Sequence, residues 1–155
     1  MPVPKSVIKM NKKDGVHFVS NVDKASYTIH ELTRAALRDV GKFVRREFKK
    51  RYYSHFTRRT GNVGKGVQYF VKSKTPKPIL QVGLKAGRYP WFYGIFQEVG
   101  TSKQPKLGLI SKSVKENIQK IIEIESRYLS AMEDEAEALQ LIDEDKEGLD
   151  ENDSA

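Results

Sequence analysis

Ile29, Leu32, Ala36, Val40 and Phe43 recur at steps of three or four residues, and Phe48 follows five further on. Only a helix brings residues at this spacing to one face. The chain must therefore bury one long apolar stripe, running to about Tyr52. Thr28-Ile-His-Glu31 reads as a capping box, in which hydroxyl and carboxylate satisfy free backbone N–H groups; Asp23 and Ser26 are alternative, earlier caps. A second stripe follows another box, Ser113-Val-Lys-Glu116. It holds Val114, Ile118, Ile121, Ile122, Tyr128, Leu129, Met132, Ala136 and Leu139.

Between the two stripes the period changes. Val67, Tyr69 and Val71 alternate, as do Leu80, Val82 and Leu84. Alternation places each trio on one face of a strand. Lys74-Thr-Pro-Lys-Pro78 cannot continue a helix and predicts a turn, so the two strands form a hairpin. Thr60 to Gly66 reads as a loop, Ala86-Gly87-Arg88 as a turn, Val16 to Ser20 as a short strand, and Trp91 to Val99 as either a short helix or a strand. The expected fold is α+β, a small antiparallel sheet packed by two long amphipathic helices. Residues 1–14 are expected to form a flexible arm, residues 15–142 a single domain, and residues 143–155 a disordered acidic tail.

At 155 residues and 38% hydrophobic, the chain can build one core. It has no cysteine, which excludes disulfides and thiolate metal sites. No apolar run approaches the roughly 18–20 residues that cross a bilayer, so no membrane partner is expected. Met1-Pro-Val-Pro-Lys-Ser lacks the apolar stretch of a signal peptide, and the protein is expected to be made and used without export. The net charge of +8 hides a division. Residues 133–155 hold eleven acidic residues and one basic, whereas residues 1–132 hold 27 basic and 9 acidic. Such a division suggests a polyanionic partner or an acidic neighbouring surface, with the acidic tail shielding the basic body.

No catalytic constellation stands out. His17, His30 and His55 lie in separate segments without paired ligand spacing. Glu98 is the one acidic residue between Glu47 and Glu116, and it has no evident acid/base partner. Its expected role is structural: accepting N–H bonds in the Gly100-Thr101 turn, or pairing with an arginine. Gly61-Asn-Val-Gly64-Lys-Gly66 has too few residues between its glycines for a nucleotide-binding P-loop and lacks the hydroxyl residue after Lys65. It also matches the bare GXXG of a KH domain, but a strand follows where that module needs a helix. No cofactor or metal is expected. Lys42, Arg45, Arg46, Lys49, Lys50, Arg51, Arg58 and Arg59 interleave with Phe43, Phe48, Tyr52, Tyr53 and Phe56. Cations on phosphates with aromatics on bases is one reading of that segment; core aromatics with a solvated basic rim is the other.

Tyr93, Gly94, Phe96, Glu98, Gly100 and Thr101, followed by Pro105, resemble the motif of the minor tail-component family of long-tailed bacteriophages, the tail-completion or head–tail connector (neck) proteins. In that motif an aromatic and a small residue precede a Glu-x-Gly-Thr turn. Arg59-Thr-Gly61 before a strand is similar to the family's Arg-x-Gly element, and the order of elements over about residues 25–132 matches. The family usually continues through Pro-Phe-Leu and Pro-Ala; here Pro105 leads into Lys-Leu-Gly-Leu-Ile, which keeps the proline and the apolar Leu107, Leu109 and Ile110.

The resemblance implies a non-enzymatic virion or prophage protein, made in the host bacterial cytoplasm and located at the head–tail junction. It implies a ring, usually hexameric, between the head connector or stopper and the tail-tube or tail-terminator proteins, with DNA passing through. Tyr93, Phe96, Glu98, Gly100, Thr101 and Pro105, and the loop of Arg59, Gly61, Gly64 and Gly66, are then the expected assembly surfaces, with Trp91 and Phe92 as further anchors. Arg45, Arg46, Lys49, Lys50 and Arg58 are candidates for non-specific contact with DNA or an acidic partner. The alternative is a basic nucleic-acid-binding module with an acidic regulatory tail.

Overall fold

A computed structural model describes residue 4 and residues 7–11, 16–56, 62–72, 77–84 and 92–150. The architecture is α+β. Strands β1 (Val7–Asn11) and β2 (Val16–Ser20) precede the 34-residue helix α1 (Val22–His55). A helical turn α2 (Asn62–Gly66) leads into β3 (Val67–Lys72) and β4 (Ile79–Leu84). Four helices follow: α3 (Phe92–Val99), α4 (Leu109–Lys115), α5 (Ile118–Ser130) and, after a 3₁₀ turn at Ala131–Glu133, α6 (Glu135–Asp150). The chain divides into two compact units, one of Met1–Ala35 with Tyr128–Ala155, the other of Ala36–Arg127.

The second unit is built on the expected hairpin. β3 and β4 pair antiparallel, from Val67↔Leu84 to Lys72↔Ile79. Alternation puts Val67, Tyr69 and Val71 on the inner face, with Val67 fully buried, and leaves Phe70 exposed on the outer one. Val40, Phe43 and Val44 of α1 pack with Leu80, Val82, Ile121 and Ile124. Phe48, Tyr52, Val63 and Val67 form the adjoining cluster, against Leu84, Leu109 and Ile110. Burying side chains of this size is worth about 1.5–3 kcal/mol each. Helix and hairpin meet closely at Gly41, where an added Cβ would stand 2.6 Å from the Tyr69 ring.

The first unit buries Leu32 and Ala35 of α1, Tyr128, Ala131, and Ala138, Leu141 and Ile142 of α6. β1 and β2 pair antiparallel from Val7↔Ser20 to Asn11↔Val16. β1 therefore lies inside the stretch expected to be a flexible arm, because its backbone has a partner strand in β2.

Several local expectations are corrected. Helix α1 starts at Val22, so Thr28 and Glu31 do not cap it. The Thr28 hydroxyl donates to the Lys24 carbonyl one turn back at 3.0 Å, and Glu31 accepts from Arg34 at 2.7 Å. Ile29 is exposed rather than part of the buried stripe. The Gly61–Gly66 loop gives way to the helical turn α2 from Asn62. Gly64 lies so near Tyr53 that an added Cβ would stand 2.5 Å from its hydroxyl oxygen.

The last expected helix is three. Ser113 is inside α4, its hydroxyl donating to the Leu109 carbonyl at 2.7 Å, and Glu116 ends that helix rather than opening one. Glu116 instead pairs with Arg51 at 2.7 Å. Asp134 starts α6 by accepting the Ala136 N–H at 2.8 Å. Helix α6 then runs through Asp150, so residues 143–150 are helical where composition predicts a disordered tail. Ala138, Leu141, Ile142 and Asp145 make one buried face and carry the helix past Asp143. Residues 151–155 lie outside the described residues.

Candidate assembly surface

Helix α3 is amphipathic the wrong way round. At 100° per residue Gly94, Gln97 and Glu98 share one face, and Tyr93, Ile95, Phe96 and Val99 the other. The polar face is the inner one. Gly94 is buried, and a Cβ there would stand 2.6 Å from Leu84 Cδ1 and 3.0 Å from Val63 Cγ1. Missing side-chain bulk at this position lets the helix lie directly on the core. Gln97 faces Tyr52, whose phenol is pushed up by burial and by Tyr53 beside it, while a side-chain hydrogen bond with Gln97 acts the other way. The apolar face is the outer one: Val99 is 65% exposed, Tyr93 56%, Phe96 45% and Ile95 41%. A surface helix of a free-standing domain normally shows the reverse.

The turn after α3 is fixed by hydrogen bonds. Gly100 has φ 85, a left-handed backbone that favours glycine, and its N–H returns to the Phe96 carbonyl at 2.8 Å. An added Cβ would stand 2.9 Å from the Lys106 nitrogen. The Thr101 hydroxyl accepts the Gln104 N–H at 3.1 Å, and Thr101 N–H donates to the Gln104 carbonyl at 2.9 Å. Pro105 is exposed in the connector that follows, and the Leu107 N–H closes onto the Gln97 carbonyl at 2.9 Å.

Glu98 reaches past this turn. Its carboxylate accepts the N–H groups of Ile110 and Ser111 at the start of α4, and also the Ser111 hydroxyl. The expectation that Glu98 accepts backbone N–H bonds is met in kind but not in place, since the donors belong to α4 and not to the Gly100-Thr101 turn. A carboxylate engaged in three hydrogen bonds is an anchor for the α3–α4 corner.

Among the described residues, the expected positions fall on two neighbouring segments. Tyr93, Phe96, Glu98, Gly100, Thr101 and Pro105 lie on α3 and the connector after it. Gly64 and Gly66 lie in α2, and Gly94 packs on Val63 of that turn. Arg58, Arg59, Gly61 and Trp91 fall outside the described residues, as does the side chain of Phe92.

On α1 the Arg46 guanidinium sits 5.7 Å from the Phe43 ring centre. Lys42 pairs with Asp39 at 3.1 Å. Arg45, Lys49 and Lys50 hold no ion pair among the described residues. Burial, and then Arg45 beside it, push the Lys49 ammonium below its usual value. Phe43, Phe48 and Tyr52 are buried, so these three aromatics are core rather than a stacking platform.

Among the described residues no group of three or more His, Asp or Glu is placed to hold a metal ion, and no helix is long and apolar enough to cross a membrane. No protein family, curated protein or solved structure matches the chain.

Proposed function

We propose that this protein is a non-enzymatic structural subunit of the head–tail junction of a long-tailed bacteriophage or prophage, assembling as a ring that joins the head connector to the tail. The observation that carries the reading is the inverted helix α3, with Tyr93, Ile95, Phe96 and Val99 turned to solvent. Exposed aromatic and aliphatic groups on one short, firmly anchored helix suit a contact made on assembly. The resemblance of Tyr93–Thr101 to the tail-completion motif supplies the kind of assembly. A small subunit in a ring uses heterologous contacts that close by rotation.

Light scattering across protein concentration, at low and high salt, tests it. A concentration-dependent shift to a closed oligomer is expected. A mass that stays monomeric up to the solubility limit, together with tight DNA binding, overturns it in favour of a nucleic-acid-binding module. That second reading is favoured by one observation, the cations Arg45, Lys49 and Lys50, which hold no ion pair among the described residues. It predicts binding that falls steeply with salt.

A further inference from the structure

The two units carry opposite charge. Residues 36–127 hold 21 basic and 6 acidic residues, a net of +15; residues 1–35 and 128–155 hold 7 basic and 14 acidic, a net of −7. Each unit also carries an open apolar feature. The first unit has a groove of about 270 Å³ whose walls include Ile29, Leu32, Met132 and Ala138, with Glu133 and Glu135 also lining it. That volume falls just under the roughly 300–1,000 Å³ usual for small-molecule sites and suits a few inserted side chains. Glu135 pairs with Lys24, whereas Glu133 is exposed and holds no ion pair among the described residues. The second unit has the outer ridge of α3. Exposed Lys103 and Lys106 follow that ridge in the connector, and the Lys106 backbone lies against Gly100.

We propose that the α3 ridge of one copy, through Phe96 and Val99, seats in the Glu133-lined groove of a second copy, with Lys103 and Lys106 facing its acidic rim. This rests on the assembly reading and names its contact. The occupant follows from complementarity: apolar ridge to apolar groove, and a lysine-bearing connector to a glutamate-bearing wall. Made head to tail, with the ridge of one copy in the groove of the next, the contact joins two different surfaces and is heterologous. After one pairing, one copy keeps an unfilled groove and the other an unpaired ridge surface, so the contact repeats and gives a ring where its rotation closes. Opposite charges speed the encounter and set its orientation, while the apolar contact supplies most of the affinity.

Two single variants test the contact. Val99→Asp spoils the ridge and Met132→Glu spoils the groove, both at exposed positions, and the two new carboxylates repel where they would meet. Each alone should lose self-association by about tenfold or more relative to the parent chain. Mixed in equal amounts they should form a 1:1 complex and nothing larger, because one intact ridge meets one intact groove. Circular dichroism melts matching the parent confirm folding; should either variant unfold, Lys106→Glu and Glu133→Lys test the same contact by charge exchange, each alone weakening self-association and the mixture, in which both exchanged pairs are complementary, regaining assembly beyond 1:1. If both variants associate as the parent does, the contact is wrong and the assembly reading stands. If one variant dissociates and the mixture forms no 1:1 complex, the ridge–groove pairing is overturned. If the parent itself stays monomeric up to its solubility limit, this inference and the assembly reading fall together.

Discussion

Glu98 and Ser111, thirteen positions apart, are joined by two hydrogen bonds. Oε1 of Glu98 accepts the Ser111 N–H at 3.0 Å and the Ser111 hydroxyl at 2.9 Å, while Oε2 accepts the Ile110 N–H at 2.9 Å. Helix α4 opens on Gly108, which has no side chain with which to cap it. Glu98, in the last turn of α3, supplies the missing acceptor, and its negative charge also suits the positive end of the helix. One side chain thus fixes the angle between α3, which carries the exposed ridge, and α4.

Removing that carboxylate strands two backbone donors. Glu98→Ala should cost about 1–3 kcal/mol, in the range of a lost cap or a lost charge-assisted bond. Glu98→Gln should cost less, since one acceptor oxygen remains and the amide nitrogen replaces the other. Urea unfolding measures both. Midpoints equal to that of the parent chain would remove Glu98 from the structural account.

Gly100 and Gly83 should respond oppositely to alanine. At Gly100 the backbone is left-handed and the new Cβ meets backbone atoms of Lys106, so Gly100→Ala should cost about 1–2 kcal/mol. At Gly83 an added Cβ meets nothing within 4 Å, and alanine suits a strand better than glycine. Gly83→Ala should be neutral or slightly stabilising. Thermal melts of the two variants decide it, and equal losses would show that the contrast in local space is not what matters.

Period and punctuation made the centre of the fold legible. Val67, Tyr69 and Val71, and Leu80, Val82 and Leu84, could share an inner face only as a hairpin, and the stripe from Leu32 to Phe48 fixed the helix that covers it. The C-terminal half was read in a single helical phase. Two interruptions, at Glu116-Asn117 and at Ala131–Asp134, reset that phase. Ile118, Ile122, Leu129 and Met132 are consequently exposed, while Ala138, Leu141 and Ile142 are buried. Asp134, followed three residues on by Glu137, was a legible start for α6 that the longer apolar pattern masked. The exposed face of α3 was not legible, because the sequence of an apolar helix does not say which side meets solvent. That depended on Gly94 closing onto Leu84 and Val63, and on a glutamate capping a helix beyond the next turn.

Gly41 sits inside α1, where glycine costs about 1 kcal/mol relative to alanine. Gly41→Ala should nevertheless destabilise, because the new Cβ would press on the Cβ, Cγ and Cδ2 atoms of Tyr69, the stiff base of the ring. In a Tyr69→Ala background, which removes the two nearest atoms and leaves only Cβ at 3.0 Å, the loss should shrink or reverse as about 1 kcal/mol of helix propensity is gained. A double-mutant cycle by denaturant unfolding reads the coupling. An effect of the same sign and size in both backgrounds removes the close approach as the reason for glycine.

Glu31 makes part of the stability dependent on acid. Burial raises its carboxyl, but the hydrogen bond and charge of Arg34, with His30 adding to both, outweigh that and hold it below its usual value of 4.5. A carboxyl depressed by folding contributes stability that is present above about pH 4.5 and lost as pH falls through the lower folded value. The stability difference between the parent and Glu31→Gln should therefore be full at neutral pH and shrink below pH 4.5. Unfolding midpoints between pH 7 and pH 3 test this. A difference that stays constant with pH would assign the effect of the substitution to packing alone.

Arg45, Lys49 and Lys50 give a last prediction, which separates the assembly reading from its rival. They hold no ion pair among the described residues, and the crowding of Arg45 on Lys49 makes an anion welcome beside them. If the body passes DNA through a junction, these cations give weak binding that ignores sequence. Replacing all three with glutamine should lower the slope of log affinity against log salt by up to about 3, since each phosphate contact on a duplex contributes close to one. Self-association should be unchanged, because none of the three lies on the α3 ridge or lines the groove. A parent chain with tight, sequence-selective binding would favour the nucleic-acid module. If the triple variant loses assembly instead, α1 is part of the subunit contact and the ridge is not sufficient.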